Sequence, residues 1–143
     1  MWFFKKQTSL VGSGILEGFT DYHSHILPGV DDGVQTLDES LYVLDCLEKL
    51  GVQSIWLTPH IMEDFPNTSE KLRERFQLLL QYYSGGIALH LAAEYMLDNL
   101  FEERLASEDL LPIGKAQKHL LVETSYFCLL YTSPSPRDRS LSR

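Results

Sequence analysis

The chain has 143 residues, 44% of them hydrophobic and 11% aromatic, with 12 basic against 20 acidic side chains and a net charge of −8. That composition suffices for one packed domain and excludes nucleic-acid binding through a general basic surface. Two cysteines, Cys46 and Cys128, are too few for a disulfide scaffold or zinc knuckle, and without a signal-peptide-like or membrane-length apolar run the expected location is cytoplasmic, with the oligomeric state open.

In chain order the sequence alternates strand and helix signals. Residues 1–17 read as an N-terminal arm, and residues 18–23 as a strand with His23 at its end. Thr36-Leu37-Asp38-Glu39 has the form of a capping box, and Leu37, Leu41, Leu44 and Leu47 then recur at helical spacing until Gly51. Residues 53–58 form a β-rich run ending at Pro59-His60. Asn67-Thr68-Ser69-Glu70 opens a second helix, with Leu72, Phe76, Leu79 and Tyr83 on one face and Gly85-Gly86 as its stop. A third strand spans 87–93 and ends at Glu94, a short helix spans 97–105, and a fourth strand spans 120–122 and ends at Glu123. Repeated β-α order predicts an α/β fold, a parallel sheet or barrel covered by helices, of about four βα units in one domain over residues 18–127. From Cys128 the composition shifts to Ser, Pro and Arg with no hydrophobic period. Residues 128–138 can be back-translated into a transposase-type sequencing adapter read in frame. Residues 128–143 are therefore expected to be a non-native, disordered tail, and the natural sequence to continue differently beyond Phe127.

Reactive residues concentrate in Asp21-Tyr22-His23-Ser24-His25 and the following Asp31-Asp32-Gly33. Strand alternation points His23 and His25 to the same side, and imidazole is the commonest metal ligand. The paired carboxylates, in a Pro/Gly turn, can fold back onto that point. His60, Glu94 and Glu123 fall at or just past successive strand ends, the rim where (β/α) barrels gather catalytic residues. His90 and His119 lie four residues before Glu94 and Glu123, which is ~13 Å at ~3.3 Å per strand residue, and they are expected to be ordinary polar residues near the opposite face. Asp21, Glu63 and Asp64 read as loop or supporting acids, and Cys46 as a packed helix residue with no basic neighbour in sequence to activate its thiol. Imidazole mixed with carboxylate suits Mn, Fe, Zn or Mg, and the absence of thiolates argues against structural zinc. Several carboxylates favour a cluster, which lowers the pKa of water and clamps a phosphate for in-line attack. Phosphoester hydrolysis is the first expected reaction class, and amide or ring hydrolysis the second.

The segment from Asp21 to Gly33, Leu57-Thr58-Pro59-His60, Leu91-Ala92-Ala93-Glu94-Tyr95-Met96 and Leu121-Val122-Glu123-Thr124 resemble, in order, the motifs of the PHP (polymerase and histidinol phosphatase) superfamily. Within it they resemble the CpsB/CapC-type protein-tyrosine phosphatases of bacterial capsule and exopolysaccharide systems, over about residues 1–127. The resemblance implies the N-terminal part of a distorted (β/α)7 barrel with a three-metal cluster, often manganese. It implies as partner the phosphotyrosine tail of a bacterial tyrosine kinase. Carried over by position, His23 and His25 hold the first metal, Asp32 and His60 another, Glu94 bridges two ions, and Glu123 is a ligand of the second. A metal-bridging hydroxide would attack phosphorus, in keeping with a sequence that has no C-x5-R loop. The family continues with His-Pro-Glu-Arg-type and Asp-Ala-His motifs that this sequence lacks, so the chain alone is expected to be an inactive half-barrel with exposed strand edges. Alternatives are a histidinol-phosphate phosphatase, a nuclease-like editing domain, a metal-dependent amidohydrolase, and a non-catalytic metal-binding or partner-binding module.

Overall fold

The computed structural model describes residues 9–114 and 116–124; the expected tail 128–143 lies wholly outside the described residues, as does part of the expected arm. The elements are α1 (Leu10–Ser13), β1 (Thr20–Ser24), α2 (Leu37–Lys49), β2 (Ser54–Leu57), β3 (His60–Ile61), α3 (Ser69–Tyr82), β4 (Ala88–Leu91), β5 (Glu94–Met96), α4 (Asn99–Ser107) and β6 (Leu121–Glu123). The fold is mixed α/β. Every strand pairing is parallel, in two three-stranded sheets of order β1-β2-β4 and β3-β5-β6.

Local sequence fixes the helix starts. At α2 the Thr36 hydroxyl accepts from Glu39 N at 3.3 Å and the Glu39 carboxylate accepts from Thr36 N at 3.0 Å, the reciprocal pair the capping box predicts. Thr68 caps α3 through Lys71 N at 3.1 Å. The helix expected from residue 97 begins at Asn99 instead, because the Asp98 carboxylate accepts from Phe101 N at 2.9 Å and so caps it.

The strands correct the sequence reading in one respect. The runs at 53–58 and 87–93, expected to be single strands ending at Pro59-His60 and Glu94, each form one strand, β2 and β4, but these stop at Leu57 and Leu91, and His60 and Glu94 open new segments, β3 and β5. Proline carries no N–H, so Pro59 cannot donate to a ladder. Thr58 N still bonds β1, donating to Ser24 O at 2.8 Å, whereas Ala93 N turns away to Leu111 O at 3.2 Å. Pairing resumes across the breaks through Ala92 N to Leu57 O at 2.9 Å and Glu94 N to Pro59 O at 3.1 Å.

The core lies between the sheets and helices. Leu44 of α2, Leu72 and Leu79 of α3, and the strand residues Ile55, Leu57, Ile61 and Tyr95 are fully buried. The Tyr95 hydroxyl accepts from Leu111 N at 2.8 Å, tying the 108–120 loop to β5, and burial pushes its phenol pKa up. Among the described residues β1, β3, β4 and β6 each pair on one side only, and no helix is long and apolar enough to cross a membrane.

Candidate metal centre

The strand breaks place the polar side chains. His60 and Glu94 are direct partners in the β3–β5 ladder, and Glu123, the last residue of β6, is opposite Met96 of β5. β1, paired with β2, carries His23 near its end, and His25 directly follows it. The six candidate ligands converge. Ligand atoms of His23, His25 and Glu94, of His25, Asp32 and His60, and of His60, Glu94 and Glu123 form three groups, each within 4.8 Å.

Glu94 is the centre of the arrangement. One carboxylate oxygen, Oε2, lies 3.1 Å from His23 Nε2, 3.3 Å from His25 Nε2 and 3.2 Å from His60 Nδ1. The Glu94 side chain is only 7% exposed, whereas His23 is 50% and Asp32 68% exposed. The site therefore has a buried carboxylate floor and an open rim.

Asp31, the neighbour of the proposed ligand Asp32, has a different task. Its buried carboxylate accepts from His25 Nδ1 at 2.8 Å, Gly33 N at 3.0 Å and His60 N at 3.0 Å. Burial alone would raise its pKa, but these hydrogen bonds outweigh it and hold the carboxyl below the usual range. The same bond, reinforced by the charges of Asp31, Glu94 and Asp32, raises the pKa of His25 against the opposing effect of burial. A proton held on Nδ1 leaves Nε2 of neutral His25 as a lone pair facing the cluster, the usual way a protein orients a ligating imidazole. Gly33 makes the turn possible: a Cβ there would lie 2.3 Å from His25 O and 2.4 Å from His25 Cβ.

The donor set fits divalent cations on the geometry itself. Nε2 of His25 lies 3.3 Å from Glu94 Oε2 and 3.2 Å from His23 Nε2, a convergence of electron-rich atoms that a shared cation would satisfy. Nδ1 of His60 is buried and makes no hydrogen bond, although it lies 3.2 Å from Glu94 Oε2 and 4.0 Å from Glu123 Oε2. A buried ring nitrogen without a hydrogen bond is costly, and an ion shared with Glu94 and Glu123 would satisfy it. All donors are imidazole nitrogen or carboxylate oxygen, a mixture suited to Mn, Fe, Zn or Mg.

The other acids and histidines stand apart from these groups. His90 of β4 stacks on Trp56 of β2 with ring centroids 4.7 Å apart, and His119 is exposed beside a single bridge to Ile113. Asp21 accepts from His23 N at 3.1 Å, fixing the backbone where the ligands begin. Glu63 accepts from Asn99 Nδ2 at 3.0 Å and Asp64 is exposed. Cys46 is a half-buried free thiol on α2. The resemblance singles out Asp32 as a ligand but gives Asp31 no task, and the sequence gives Asn67 none beyond opening a helix, whereas Asn67 is buried against the His60 segment.

Two comparisons bear on this site. The sequence model of the family described as capsular polysaccharide synthesis, CpsB/CapC, matches residues 19–129. The chain is similar, at 26% identity over 107 residues, to a Staphylococcus aureus protein named "Putative tyrosine-protein phosphatase CapC". The aligned part is 72% of this chain and 42% of that protein, so the chain spans less than half the length of the curated relative it matches.

Proposed function

From the CpsB/CapC capsular polysaccharide synthesis family, to which the chain belongs, and from its cluster of imidazoles and carboxylates, we propose that the chain carries the first metal-ligating half of a metal-dependent protein-tyrosine phosphatase. On this reading the fold is the N-terminal part of a distorted (β/α)7 PHP barrel. The metals are divalent, manganese first, the protein acts in the cytoplasm, and the substrate is the phosphotyrosine tail of a bacterial tyrosine kinase that controls capsule or exopolysaccharide synthesis. The observation that carries the reading is Glu94 Oε2 surrounded by three imidazole nitrogens, one of them the buried His60 Nδ1 that makes no hydrogen bond.

Electrostatics explain why such a site needs cations. Asp32, Glu94 and Glu123 together would repel a phosphate dianion, and bound cations invert that field. When bound, the ions would lower the pKa of water and neutralise the phosphoryl oxygens. The protein's own part is to hold the ligands ready. Asp31 fixes the His25 tautomer, Glu94 supplies the buried anionic floor, and the exposed side of His23 and Asp32 leaves an approach for an aryl phosphate. The described residues place no cysteine in the cluster.

The test assays a phosphotyrosyl peptide beside histidinol phosphate, using the 143-residue chain and the longest open reading frame that contains residues 19–129. The reading expects hydrolysis of the phosphotyrosyl peptide by the longer protein, loss with a chelator, recovery with Mn2+, and no effect of Cys46→Ser. Activity insensitive to chelation and abolished by Cys46→Ser would refute it, and a preference for histidinol phosphate would overturn the substrate assignment.

A further inference from the structure

His25 and His60 are held in unlike ways. The His25 ring is set by its own hydrogen bond to Asp31. The His60 ring has no such partner: Nδ1 makes no hydrogen bond and Nε2 stands 3.6 Å from Asp32. Its ring contacts are Phe65, stacked at 5.9 Å and 16°, and His25, tilted at 4.4 Å. With no hydrogen bond to fix the ring, the position of the His60 imidazole depends on these ring contacts and on the backbone that carries it.

That backbone is held at both of its polar groups. His60 N donates to the Asp31 carboxylate at 3.0 Å, and His60 O accepts from Asn67 Nδ2 at 2.9 Å. The same Asn67 Nδ2 donates to Val30 O at 2.8 Å, one residue before Asp31 and two before Asp32. Asn67 is 2% exposed. Its amide orientation follows from its partners, because two carbonyls need the NH2 group and the Lys71 ammonium, 3.1 Å from Oδ1, needs the oxygen. The Asn67 backbone is committed too, N donating to Phe65 O at 2.7 Å and O accepting from Arg104 Nη2 at 3.0 Å. Arg104 in turn pairs with Asp109, which also accepts from the Ser69 hydroxyl. Asn67 is thus a buried amide, anchored to α3 and α4, that ties the Asp31-Asp32 turn to the start of β3.

We propose that Asn67 is a positioning residue of the metal centre, which sets the separation of Asp32 from His60 and the aim of the His60 ring, and with them the affinity of the ion those residues hold. This rests on the metal-centre reading and not on the identity of the substrate. A side chain that only stabilised the loop would change stability without changing the affinity of the molecules that are folded. Outer contacts that orient ligating groups typically alter metal affinity by about 10–100-fold.

The experiment measures Mn2+ and Co2+ binding to the metal-stripped chain by calorimetry and by the Co2+ absorption spectrum, with thermal unfolding of each variant in chelator. The variants are Asn67→Ala, the milder Asn67→Ser, which keeps one short donor, and Leu79→Ala, a fully buried α3 side chain outside the centre. Asn67→Ala is expected to lose about tenfold or more in affinity for the weakened ion and to alter the Co2+ spectrum, with Asn67→Ser intermediate. Leu79→Ala should lower Tm while keeping wild-type affinity and spectrum. If Asn67→Ala does not fold, the Asn67→Ser affinity and spectrum decide. Asn67 variants that bind both ions like the wild type, at whatever cost in Tm, would overturn the assignment. A wild-type chain that binds neither ion would instead overturn the metal-centre reading on which it rests.

Discussion

Asp31→Asn is the most informative single change, because it keeps shape and removes only charge and one acceptor. The native carboxylate accepts three hydrogen bonds while fully buried. An asparagine can place its oxygen where Oδ2 stands and keep the contacts to His25 Nδ1 and His60 N. Its NH2 group then faces Gly33 N, donor against donor. One buried donor left unsatisfied costs about 1–3 kcal/mol, which for a chain near this length lowers Tm by roughly 2–12 °C. Loss of the negative partner also makes His25 a poorer ligand, and affinity for a divalent ion should fall about 10–100-fold. Asp32→Asn is the counterpart. Asp32 is largely exposed, and it faces His60 Nε2 at 3.6 Å, so the metal-free chain should change by less than about 0.5 kcal/mol while affinity drops through loss of an anionic ligand. The pair is read by thermal unfolding in chelator and by Mn2+ calorimetry. If Asp32→Asn destabilises the metal-free chain and Asp31→Asn leaves both stability and affinity intact, the division of labour between the two residues is wrong.

Two further expectations follow from the same turn. Gly33→Ala would drive a methyl group into His25 O and Cβ; overpacking of this kind typically costs 1–3 kcal/mol, and here it should weaken Mn2+ binding as well, so wild-type affinity in a folded Gly33→Ala chain would count against a fixed His25. In chelator, stability should pass through a maximum on the acid side of neutral. The depressed Asp31 pKa contributes stability that is complete above its unfolded value of 3.8 and lost as pH falls through the folded value. The raised His25 pKa contributes stability complete below its unfolded value of 6.5 and lost as pH rises through the folded value. Denaturant midpoints that climb steadily through pH 8 without metal would contradict this pairing.

What could be read from the sequence was whatever the local chain decides. The capping box at Thr36-Glu39 was legible because both partners lie within one turn of helix, and Leu44, Leu72 and Leu79 were legible because helical spacing alone marks a buried face. The alternation of strands and helices led to a parallel α/β arrangement for the same reason. Five ligand candidates were visible as residue types at or just past strand ends and the sixth, Asp32, in the turn after the first strand, and the structure brings their side chains to one place. The breaks in the strand runs were less visible. Pro59 was a signal in plain view, but Ala92 and Ala93 carry no feature that announces a change of partner, since Ala93 N turns to Leu111 O only in the folded chain.

The division between Asp31 and Asp32, and the task of Asn67, lie beyond local pattern for a common reason. Adjacent aspartates in a turn look alike until the chain around residue 60 arrives to present one of them with a backbone N–H. Asn67 begins a run of three cap-forming residues, Asn67-Thr68-Ser69, in which any one could close the helix. Once Thr68 takes the cap, Asn67 is displaced outward from the helix, and its amide is available to the two carbonyls at Val30 and His60. The strand ladders place His60, Glu94 and Glu123, while the hydrogen bonds of Asp31 and Asn67 tie the turn at Asp31-Asp32 to His25 and His60, and neither residue belongs to the ligand groups. A substitution at either position should therefore alter the metal centre while every candidate ligand is still in place, which distinguishes a built site from a chance meeting of histidines and acids.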